Sequence, residues 1–174
     1  MKRKILLTVL VLTAVLSITP YIGTVLATPP TPVLFRVDFS TFGGTREVRQ
    51  AGNSNNWIMH ANTYADLIGD IEGSMTAEAY WIFHGWAGPV DDPMMLEVRS
   101  VNGHVLLTID AKVDGKTGTI QLRFNDVTGE SVGTWVIFGG TDELSGLHGQ
   151  GTWETSYDTG VPDQVFEGQI HFDP

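Results

Sequence analysis

Glu78, Tyr80 and His84 fall at even spacings within the run Met75 to His84. In a strand, successive side chains point to opposite faces, so Thr76, Glu78, Tyr80, Ile82 and His84 would share one face. A carboxylate, a phenol and an imidazole on one line can bind or protonate a ligand if that face lines an enclosed space. If it faces solvent, the same residues are surface groups. Alternation defines two faces without saying which is inside. Trp135 is a fourth candidate, as an indole that either stacks on a ligand or closes a core. Trp57, Trp81, Trp86 and Trp153 carry the same two readings.

The remaining chemistry-bearing residues are less organised. His60, His84, His104, His148 and His171 include no pair at the i, i+2 strand spacing or the i, i+4 helical spacing of a metal site. Asp66, Asp70 and Glu72 bracket a turn. Asp70 and Glu72 on one face could act as a coupled carboxylate pair, although acids at a turn more often cap or solvate it. No Asp-x-Asp-x-Asp-Gly calcium loop occurs. No motif calls for a metal or a cofactor, and no catalytic residue is assigned.

The elements that must position these residues read as strands. His104 to Val113 places Val105, Leu107, Ile109, Ala111 and Val113 on one face, and Thr119 to Asn125 places Ile120, Leu122 and Phe124 likewise. Asp114-Gly115-Lys116-Thr117-Gly118 between them predicts a hairpin. Further strands are predicted over Val33 to Phe39, Met75 to His84, Ser131 to Phe138, Gly151 to Thr155 and Val165 to Phe172. Gly43 to Asn56 reads as a polar loop. Trp86 to Pro93 must be irregular because it carries Pro89 and Pro93. About eight short strands at such spacing predict an all-β sandwich or barrel, with a single closed antiparallel barrel preferred because closure removes sheet edges.

Composition bounds where and with what the domain works. Residues 1–27 have the form of a secretory signal: basic Lys2-Arg3-Lys4, an apolar run from Ile5, and Val25-Leu26-Ala27 before a proline-rich spacer at 28–32. The uncharged stretch from Ile5 to Ala27 is also long enough for a permanent anchor, the one route by which this chain would meet a membrane. Cleavage would leave a domain at 33–174 with its spacer, and seven basic residues against twenty acidic, a net charge of −13 in place of −10. Such a surface disfavours nucleic acid and anionic lipid. It serves solubility or, alternatively, forms an acidic binding face. With no cysteine, the domain has no disulfide to lean on.

The segment Gly139-Gly140-Thr141-Asp142-Glu143-Leu144-Ser145-Gly146-Leu147-His148-Gly149-Gln150-Gly151-Thr152 carries five glycines and a threonine after the first two. It lacks the Gly-Lys-Ser/Thr of a phosphate loop, so Leu144 and Leu147 are expected to plug a barrel end. It resembles the Gly-Gly-Thr-Gly-x-Leu-x-Gly-x-x-Gly-x-Gly pattern of the allene oxide cyclase and dirigent group, and of bacterial proteins grouped as domain of unknown function 3224. Ile68-Gly69-Asp70-Ile71-Glu72-Gly73 is similar to an early glycine turn in those relatives. The resemblance implies an eight-stranded barrel whose cavity holds a small apolar ligand. Asp142 stands where the pattern often has glycine, and a cysteine-containing cyclase site has no counterpart here. The expected function is an exported binding module with Glu78, Tyr80, His84 and Trp135 as lumen residues. An isomerase or cyclase acting on an apolar substrate and a ligand-free structural domain remain the alternatives.

Overall fold

Asp114 and Gly115 adopt φ of 50° and 78°. Two successive left-handed residues make a turn whose twist matches that of the flanking strands. Val113 therefore pairs directly with Lys116, and the hairpin ladder absorbs Lys116, Thr117 and Gly118, which the sequence placed in the turn. The computed structural model describes residues 29–84, 100–127, 132–156 and 163–173. The signal segment 1–27 and the irregular run 86–93 lie outside them.

Eight strands follow in chain order: β1 (Thr31–Gln50), β2 (Asn56–Gly69), β3 (Ile71–His84), β4 (Ser100–Val113), β5 (Lys116–Val127), β6 (Val132–Gly140), β7 (Leu147–Ser156) and β8 (Asp163–Phe172). Each pairs antiparallel with the next, and β8 returns to β1, so the strands form a closed ring. That closing ladder is short, from Thr31↔Ile170 to Arg36↔Val165. Past Arg36, β1 stays paired with β2 as far as Gln50↔Trp57.

Two expectations need correction. Gly43 to Asn56 is mostly strand, because β1 resumes pairing at Gly43 after a register shift that begins at Asp38. The shift leaves Phe39 to Phe42 out of phase and destroys the two-residue period by which a strand is recognised. The whole of β2 was invisible as a strand. Its inward side carries the small residues Ala61 and Ala65, while Ile58, Tyr64 and Ile68 lie on the other side, so its alternation is blurred. Thr31 and Pro32 also belong to β1 rather than to a spacer. Pro32 sits near the strand's first residue, where a missing N–H is tolerated.

The interior of the ring is apolar and filled. Phe35, Ile71, Leu107, Ile109, Ile120, Leu122, Trp135 and Phe166 are essentially inaccessible, and no polar side chain is buried among the described residues. Phe35 stacks on Phe166 at 4.8 Å and meets Trp135 edge-on at 5.5 Å. Leu144, from the 3-10 turn Asp142–Leu144, and Leu147 are both fully buried, as expected of an end plug. Asp142 has φ of 53°, which explains why the resembling pattern favours glycine there. Beyond the ring closure, Met59 and Phe83 form a smaller cluster with Val48, Trp57 and Trp81.

Candidate functional site

The face of β3 that carries Glu78 and Tyr80 points outward. Ile71, Met75, Ala77, Ala79 and Phe83 are the buried residues of this strand, while Tyr80 is 41% exposed. The inward expectation for Glu78, Tyr80 and His84 is thereby reversed. The reason is steric and energetic: alanines and a methionine fill a crowded interior, whereas a carboxylate there would lose its hydration without a partner. Trp135 does face inward. Its Nε1 donates to the carbonyls of Thr152 and Glu167 at 3.0 Å each, so its polar end is engaged by backbone rather than directed at a ligand. Trp153 likewise donates to the carbonyl of Asn125.

Glu78 and Tyr80 are brought together, and His84 is set apart. The Tyr80 hydroxyl donates to Glu78 Oε1 at 3.1 Å, and His60 Nε2 approaches the same oxygen at 3.3 Å. His84 instead contacts Asn56 Oδ1 and Asn102 Nδ2, both at 3.2 Å, two outward positions further along β3, beyond Ile82. The β2–β3–β4 register aligns His60, Tyr80 and His104 in one row. Their rings stack, with the Tyr80 centroid 4.4 Å from His60 and 5.6 Å from His104. The hydrogen bond to the Glu78 carboxylate is the main cause holding the Tyr80 phenol above its ordinary pKa, with desolvation and the carboxylate's charge adding to it.

The next row runs Glu78, Leu106, Arg123 and Val136 across β3, β4, β5 and β6. With Tyr80, His104 and Phe138, the first three of these line a surface depression of about 450 Å³. Leu106 is half-buried, Phe138 is 47% exposed, and Arg123 makes no ion pair among the described residues. Sequence reasoning missed His60, His104, Leu106, Arg123 and Phe138 as members of one site. The hairpin turn held part of the signal, because the pair Val113↔Lys116 fixes Leu106 opposite Arg123.

A larger depression of about 670 Å³ lies around Asp66, Ser74, Asp110 and Thr119. Its polar groups satisfy one another: Ser74 donates to Asp66, Thr119 to Asp110, and Lys112 to Glu72. Asp70 accepts the Leu34 N–H at 2.7 Å, so the turn acids act separately and not as a coupled pair. Among the described residues no three histidine or acidic side chains converge with metal-ligand geometry.

No family model and no curated protein matches the chain. Among solved structures it is similar to a protein of unknown function from the DUF3224 family of Shewanella oneidensis MR-1. The two share 20% sequence identity with a TM-score of 0.59, over 83% of this chain and 98% of the other. The fold is that of a DUF3224 protein. The DUF3224 part of the sequence resemblance is thus matched at the level of fold, over far more of the chain than the glycine segments that suggested it. The allene oxide cyclase part is not among these findings.

Proposed function

We propose that this chain is an exported, non-catalytic binding protein that takes a small ligand on the outer face of its strand ring, in the depression beside Tyr80. The carrying observation is the combination of an exposed, histidine-flanked Tyr80 and a half-buried Leu106 with the Arg123 guanidinium at the rim. Pockets that hold small molecules join apolar area to a few placed polar groups in this way. The filled, apolar interior and the backbone-engaged Trp135 favour the outer face over a lumen site. Export is supported by the basic start, the apolar run and the small residues before Thr28.

Binding is tested by titrating the isotope-labelled protein with small aromatic compounds while following the Leu106 amide and the Trp135 indole N–H. Shifts at Leu106 with a still indole resonance fit the proposal. Movement of the indole alone would return the ligand to the interior. A second reading, an isomerase or cyclase, draws on the Tyr80–Glu78–His60 hydrogen-bonded set, which could relay a proton at the surface. It requires turnover that Glu78→Gln abolishes while binding persists. N-terminal sequencing of the protein recovered from outside the cytoplasm tests export, with a start at Thr28 expected for a cleaved signal.

A further inference from the structure

We infer that the depression beside Tyr80 selects planar aromatic monocarboxylates, with the carboxylate held by Arg123 and the ring laid against Tyr80, His104 and Phe138. The inference rests on the outer-face reading above and adds to it the ligand's chemical class.

Arg123 and Glu78 stand on either side of Leu106 in one cross-strand row. Strands are about 4.8 Å apart, so the two backbones are about 10 Å apart across the leucine. The Glu78 carboxylate is drawn the other way, toward Tyr80 and His60. Opposite charges at such a separation on an exposed surface interact weakly and are screened. The guanidinium therefore keeps its fork of donors for a ligand, and a carboxylate matches that fork with two parallel hydrogen bonds.

The apolar parts fix the rest of the molecule. Half-buried Leu106 lines the depression beside the Tyr80 and His104 rings, which stack on each other at 5.6 Å and 25°. Phe138 also lines it, 47% exposed and open to contact. A planar ring lies against these side chains while its carboxylate reaches Arg123. Glu78 at the opposite end repels a second negative charge, so dicarboxylates are rejected. The chain's net charge of −10 also works against anions approaching from a distance, so selection comes from contact with Arg123 and not from long-range steering.

The test compares indole-3-acetate with its neutral isostere indole-3-acetamide on the full chain, followed by the Leu106 and Arg123 amides. The acetate should bind about tenfold or more tightly than the amide, the usual scale for losing a charged hydrogen-bonding partner. Arg123→Gln should remove that preference, and Arg123→Lys should keep part of it, because the charge stays and the fork is lost. Arg123 is exposed, so both variants should keep the parent spectrum away from the site. Equal binding of acetate and amide, unchanged by Arg123→Gln, overturns the carboxylate class while leaving the outer-face site in place. No shift of either amide with either compound overturns both.

Discussion

The Tyr80 hydroxyl donates to Glu78 Oε1 from two residues away on the same outward face of β3, and that bond ties the candidate site into one hydrogen-bonded unit with His60. Because the phenol's pKa is raised in the folded chain, the donated proton is kept through the ordinary tyrosine range and lost only as pH rises through the raised value. Glu78→Gln removes the charge that holds the proton. An ultraviolet titration, with Tyr80→Phe used to assign the component, should then show the Tyr80 transition moving to lower pH. An unmoved transition would mean that the carboxylate does not control the phenol.

Trp135 spans the interior and anchors it to two backbone carbonyls. Trp135→Ala should reduce unfolding free energy by about 3–5 kcal/mol, the range for emptying a large aromatic site. Urea denaturation should show a lower midpoint with an unchanged slope. A loss below about 1 kcal/mol would show that the interior collapses around the gap.

Gly168 exists as glycine because the Gln150 carbonyl and the Trp135 indole both lie against it. A Cβ there would sit 2.5 Å from Trp135 Cζ2 and press on the Gln150 carbonyl. Gly168→Ala should destabilise the ring by about 1–3 kcal/mol as the indole is forced off its position. Wild-type-like thermal stability in this variant would contradict the close approach.

Glu143 accepts the Thr117 N–H at 2.9 Å and the Thr117 hydroxyl at 3.1 Å, which together hold its carboxyl below the usual glutamate range. A lowered folded pKa gives stability that is complete above the unfolded value and lost as pH falls through the folded one. The gap in denaturation midpoint between wild type and Glu143→Gln should therefore be widest near neutrality and close as pH falls from the ordinary glutamate value through the lowered folded one. A gap that persists at the acid end would rule out the carboxylate as its source.

How much of this was legible depended on the period of each segment. The residues that share a face on β4 and β5 are legible because Val105 to Val113 and Ile120 to Phe124 mostly alternate apolar with polar residues, and the structure buries that face. Leu144 and Leu147 were recognisable as a plug because they are the apolar pair in a polar, glycine-rich stretch. The run Met75 to His84 locates β3 without saying which of its faces lies inside. Its C-terminal end, Tyr80-Trp81-Ile82-Phe83, is apolar on both faces, although over the whole strand the outward side also carries Glu72, Ser74, Thr76, Glu78 and His84. Small inward residues are a consequence of crowding within the ring, and crowding is set by the opposite strands.

The sequence by itself determined the strand-forming segments with clear alternation, the left-handed hairpin turn, the end plug and the absence of any disulfide. It also contained one half of the candidate site's geometry, since the Asp114-Gly115 turn dictates that Leu106 faces Arg123. Only the tertiary structure decided that Glu78 and Tyr80 face outward, and that His60 and His104 flank the tyrosine. Those alignments require the β2–β3 and β3–β4 registers. Register is chosen by the fit of whole strands against a shared interior, a long-range quantity that no local pattern of residues encodes.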